Sequence, residues 1–126
     1  MNLSQIKVST AQRRTVTVDI TDKLGADEPV VLSFQEPNAP ALFAIGGLAQ
    51  AVRKKNPDWP DILCQSVALM AVSHTAPDCG DIDPLQWYSH LAEADAALFF
   101  YILTEYNAAL PTVSAPVESV AAAKNE

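Results

Sequence analysis

The spacing of apolar residues changes along the chain. Over residues 14–20 it is two: Val16, Val18 and Ile20 alternate with Thr15, Thr17 and Asp19. That period gives a strand with one buried and one wet face, and Val and Thr favour its backbone. Val30-Val31-Leu32-Ser33-Phe34 is a second β-prone run. Between the two, Thr21 to Glu28 (TDKLGADE) is rich in turn formers, with Gly25 able to take positive φ. The pattern predicts an N-terminal β-hairpin with a longish loop. A lone hairpin is marginal in water, so it must pack on helices or pair its edge with another chain.

From Asn38 the spacing becomes three and four. Asn38 and Pro40 suit a helix cap and first turn, and Leu42, Phe43, Ile45, Leu48, Ala49 and Val52 recur at helical intervals. Gly46-Gly47 interrupts this run, at about 1 kcal/mol per glycine relative to alanine, and marks a kink or a close helix crossing. Arg53-Lys54-Lys55 closes it with the cations that a helix C-terminus favours. A second helix is predicted around Trp59-Pro60-Asp61, capped by Asp58, with Ile62, Leu63, Val67, Leu69, Met70 and Val72 covering most of its surface. His74 near its end is read as bonding terminal carbonyls, and Thr75 to Asp83 as a loop. A third helix is predicted from Asp83-Pro84 to about Ala109. At 1.5 Å per residue it would be close to ~40 Å long, more than one small domain covers. Phe99-Phe100-Tyr101 surrounds most of its circumference. Some of that apolar surface must meet either another molecule or the hairpin.

The expected fold is therefore α+β and mainly helical: a flexible N-terminus over 1–11, a single domain over 12–110 with a hairpin and about three α-helices, and a disordered tail over 111–126. The tail expectation rests on small residues and prolines without a large aromatic.

Charge narrows the function. Residues 1–55 carry seven basic and five acidic side chains, residues 56–126 one basic and ten acidic, and the whole chain has a formal charge of -7. Nucleic-acid backbones and anionic membranes require the opposite balance, so neither is an expected partner. The three cations of residues 53–55 are too few for a nucleic-acid groove. No apolar run reaches the ~18 residues of a membrane helix, and the first ten residues hold no continuous apolar segment of the kind a secretory signal needs. A soluble cytosolic protein is expected. The long cation-free stretch reads as a solubilising surface or as one that steers a basic protein partner.

Chemistry is sparse. Cys64 and Cys79 match no zinc spacing; a site with His74 between them is the only metal reading, beside an Asp81/Asp83 pair that lacks the rest of a calcium loop. His74 and His90 are the only histidine bases, and neither Cys79 with His90 nor Ser73 with His74 is brought together by spacing. No catalytic residue, metal or cofactor is expected.

The order of elements carries a resemblance. A strand ending in Val31-Leu32-Ser33-Phe34-Gln35-Glu36-Pro37 runs into the first helix; Ile82-Asp83-Pro84-Leu85 opens a later one; and Leu91-Ala92-Glu93-Ala94-Asp95 is followed by Leu98, Ile102 and Tyr106. Over residues 14–108 this resembles the tail assembly chaperones of long-tailed bacteriophages, with Gly46-Gly47 and Cys79 as departures. The resemblance implies a non-enzymatic protein of the host cytoplasm, absent from the mature virion, that binds the tape-measure protein and helps recruit tail tube protein. Self-association through the hairpin edge or the aromatic helix is expected too. Leu91, Leu98, Phe99, Ile102 and Tyr106 are the expected partner-binding residues, docking helix in groove. The alternatives are a small structural or adaptor subunit of a phage tail or head-completion complex, and a small metal protein using His74, Cys79, Asp81 and Asp83.

Overall fold

The computed structural model of the chain describes Asn2, Ser4 and residues 14–110. The expected disordered tail, and the expected flexible N-terminus apart from Asn2 and Ser4, lie outside the described residues. The architecture is α+β, as expected. Strand β1 (Thr15–Asp19) is followed by a single helical turn, α1 (Thr21–Leu24), then by β2 (Val31–Gln35), α2 (Ala39–Lys55), α3 (Asp61–Ser73), β3 (His74–Ala76), α4 (Pro84–Ala94) and α5 (Ala96–Ala109).

β1 and β2 form the predicted antiparallel hairpin, with Val16 opposite Phe34 and Val18 opposite Leu32. The alternation does what its period requires: Val18, Ile20, Leu32 and Phe34 are buried, while Thr15, Thr17 and Asp19 face solvent. The loop is more ordered than a plain turn. Its first residues wind into α1, which Gly25 ends at φ 63°, the left-handed region glycine tolerates best. Thr21 Oγ1 accepts from the Val30 N–H at 2.8 Å and ties the turn to the second strand. At the other end Arg14 pairs with Glu36 across the strands.

β3 is an addition to the expected fold. Residues 74–76, read as a helix end and loop, pair antiparallel with β2 and complete a sheet of order β1-β2-β3. Three residues carry no alternation to detect; backbone pairing and the Thr75 hydroxyl, which donates to the Ser33 carbonyl at 3.1 Å, hold them there.

The caps explain the helix boundaries. Asn38 Oδ1 accepts from the Ala41 N–H, and Pro40 sits in the first turn of α2, as predicted. Pro60, not Asp58, caps α3. A proline pushes the residue before it out of the helical region, and a turn closed by the Trp59 N–H on the Asn56 carbonyl occupies that place. Arg53 pairs with Asp61 across this corner. Asp83 and Gln86 form a reciprocal capping box at α4.

The predicted third helix is not continuous. It breaks at Asp95, whose backbone leaves the helical region (φ -146°, ψ 82°) and whose carboxylate accepts from the Leu98 N–H at 3.1 Å. Asp is a strong N-cap, and the break has a packing reason. A straight helix would carry one end past the core, whereas the bend brings Leu91 of α4 and Leu98, Phe99, Ile102 and Tyr106 of α5 onto one cluster with Phe34, Val67 and Met70. Four long helices and one turn thus replace the three expected.

Candidate partner-binding surface

The five residues expected to bind a partner are core residues. Leu91, Leu98, Phe99, Ile102 and Tyr106 are all between 0 and 9% exposed. The expectation treated the helix as one rod with surplus apolar surface; the bend at Asp95 gives that surface an internal neighbour. Of the three consecutive aromatics, Phe99 points inward, Tyr101 is half-buried under the Lys23 ammonium (4.8 Å from ring centre), and Phe100 remains 56% exposed.

The groups with chemical potential are engaged structurally. His74 joins the sheet to α4. Its Nε2 lies 2.6 Å from the Pro77 carbonyl, which can only accept, so Nε2–H donates; Nδ1, 2.8 Å from the Tyr88 hydroxyl, then accepts from it. Of the helix-terminal carbonyls expected to hold His74, that of Met70 accepts from its backbone N–H, while the ring bonds elsewhere. The His74 and Tyr88 rings both pack against Phe34. Burial pushes the Tyr88 phenol far above the usual tyrosine range. The Tyr106 phenol is raised too, by burial, with the 2.8 Å bond to the Ser73 hydroxyl opposing the shift. Cys79 Sγ lies 3.7 Å from His74 Nε2, but burial and then the Asp78 and Asp83 carboxylates push its thiol up, away from the thiolate a nucleophile requires. Cys64 is buried in α3, Ser73 is committed to Tyr106, and His90 lies on α4. Asp83 is the α4 cap. No group of three His, Cys, Asp or Glu side chains that could hold a metal ion occurs among the described residues.

What the surface does offer is concave and apolar. A groove of about 270 Å³ runs between the end of α2 and α4. Ala51, Val52 and Leu85 supply its apolar part; Lys55, Asn56, Gln86, Ser89, His90 and Glu93 are its polar lining. The helical period puts Ala51, Val52 and Lys55 on one side of α2, and Gln86, Ser89, His90 and Glu93 together on α4. A cleft of this size holds one or two apolar side chains, with cationic and carboxylate groups at hand for the polar positions beside them.

Two apolar positions elsewhere are even more open: Phe43 of α2 at 86% exposure and Ile62 of α3 at 70%. Spacing placed Phe43 in the apolar run of α2 without marking it as outward, and passed over the groove. The signal lay in composition: no polar side chain occurs from Ala39 through Ala49, more apolar positions than one buried helix face can take.

No protein-family model, no curated protein and no solved structure matches the chain. Among the described residues, no helix is long and apolar enough to cross a membrane.

Proposed function

We propose that the chain is a non-enzymatic tail assembly chaperone of a long-tailed phage, acting in the cytoplasm of the bacterial host and absent from the mature virion. Its principal partner is the tape-measure protein, and it helps bring tail tube protein to it. The observation that carries this reading is the groove beside α4: an apolar floor with a polar lining, the form that accepts one face of an amphipathic helix. The strand that runs through Glu36 and buried Pro37 into the Asn38-capped α2 supports it, as does the acidic second half of the chain, which disfavours nucleic acid.

Co-expression with the tape-measure protein of the same phage tests the reading. The tape-measure protein is expected to become soluble in the presence of the chain and to co-purify with it. Ala51→Arg, which fills the groove from an exposed position, should remove both effects while leaving the fold intact. A tape-measure protein equally soluble with and without the chain overturns the proposal. Recovery of the chain in purified particles would assign it instead to a structural or adaptor subunit.

A further inference from the structure

The four long helices form an open row. α2 packs on α3, α3 on α4 and α4 on α5, while α2 and α5 make no comparable contact with each other. A row has two ends, and here both are apolar. At one end Phe43 projects almost wholly into water, beside exposed Ala39, Pro40, Leu42 and Ala44. One turn on, Gly46 and Gly47 are exposed as well, and a Cβ added at either would meet nothing within 4 Å. Neither glycine serves a close approach inside the chain, although glycine within a helix is unfavourable. Together they leave a shallow saddle next to a projecting ring. The other end repeats this relief: exposed Phe100 projects from α5 between exposed Ala97, Thr104 and Ala108. The positions 97, 100, 104 and 108 share one face of a helix, as do 39, 43, 46, 47 and 50.

Charge separates the two ends. The α2 face finishes in Arg53, which Asp61 pairs, and in Lys54 and Lys55. The α5 end carries Asp95 and Glu105, in a stretch from Asn56 to Ala123 without any Lys or Arg, with Lys23 of α1 over Tyr101 as the cation beside it.

We infer that the outward face of α5 in one copy docks on the outward face of α2 in the next, so that the chain self-associates head to tail. With the two helices antiparallel and Phe100 seated at Gly47, Phe43 falls level with Thr104 and its small neighbours. Val52 falls level with the Asp95 corner, so Lys54 and Lys55 come just past the acidic start of α5. The antiparallel sense also sets the negative end of the α2 dipole beside the positive end of α5. Because the two faces differ, the contact is heterologous: it leaves an unused face at each end, and assembly continues until it closes as a ring or runs on as a filament. α5 is only about 21 Å long, so the contact belongs to the small, weak class and depends on chain concentration.

Sedimentation velocity of the full chain over a concentration series tests the inference, with Phe43→Glu and Phe100→Lys as variants. Both positions are exposed, so both variants should keep the wild-type circular dichroism spectrum. Wild type should pass through dimer to larger species, and each variant alone should lose about tenfold or more in association constant. The decisive sample is an equimolar mixture of the two variants. Each retains the face the other has lost, so the mixture should form a 1:1 dimer and stop there. Wild type that stays monomeric up to about 1 mM, the weak limit of a specific contact, overturns the inference. So does a mixture that stays monomeric, because an interface that joins like faces, or lies elsewhere, cannot be rescued by mixing.

Discussion

Phe99 and Phe100 are neighbours in sequence with opposite fates, and exchanging each for alanine measures how α5 is turned about its axis. Phe99 is 1% exposed and Phe100 56%. Their rings meet edge to face at 5.7 Å, an interaction of about 0.5–1.5 kcal/mol that either replacement removes, so it cancels in the comparison. Beyond it, Phe99→Ala leaves a cavity in the core, at a cost of about 3–5 kcal/mol. Phe100 has roughly half its surface already in water, so its truncation forfeits only about 1 kcal/mol of transfer free energy. The difference of about 2 kcal/mol or more is a large share of the 5–15 kcal/mol that holds a domain of this size together. At about 4–8 °C per kcal/mol it separates the two midpoints by about 10 °C. Thermal and urea unfolding followed by far-ultraviolet circular dichroism would read this directly. Equal destabilisation, or a larger loss at Phe100, would mean that α5 is rotated by about 100°, one residue's turn. The packing account of the break at Asp95 would then fail with it.

Other perturbations probe the remaining joints. Tyr106→Phe strands the buried Ser73 hydroxyl and should cost about 1–3 kcal/mol; the Ser73→Ala/Tyr106→Phe double variant should lose less than the two single changes combined, which a double-mutant cycle by urea unfolding would show. Asp95→Ala removes the cap that starts α5 and should cost about 1 kcal/mol, whereas Asp95→Asn, which can still accept from the Leu98 N–H, should fall within a few tenths of wild type in the same assay. Tyr88 and Tyr106 have phenols raised by burial. The unfolded chain therefore releases those protons first, and the stability they secure is whole below about pH 10 and declines as pH rises beyond it. Unfolding midpoints measured from pH 8 to 11 should fall at the alkaline end, with a shallower slope in Tyr88→Phe. At pH 7 Cys79 should alkylate more slowly than a free thiol, and Cys64 only on unfolding, as mass spectrometry after timed quenching would report.

The success and failure of reading this chain from its residues have one physical origin. A period reveals which side of an element is buried only when its two sides differ. In β1 they do: Val16, Val18 and Ile20 against Thr15, Thr17 and Asp19 leave one possible orientation, and the hairpin has it. The caps were legible for a similar reason, since Asn38-Pro40 and Asp83-Pro84 combine an acceptor with a preset φ that only a helix start uses well. In α5 the contrast disappears. Residues 96–103 (AALFFYIL) are apolar on every side, so the chain announces a helix without saying how it is turned, and the buried Leu98, Phe99, Ile102 and Tyr106 could not be told from exposed Phe100. The first three turns of α2 present the same ambiguity, with Phe43 outward and Ala49 inward among residues of one character. Asp95 held the missing information, because a strong cap in mid-helix is a place to break, and a break folds both halves onto one core. Helices apolar all round belong in a protein's centre or against a neighbour. Here α2 and α5 stand at the two ends of a helical row. The residues whose orientation was hardest to read from sequence are therefore those whose orientation an intermolecular contact would settle.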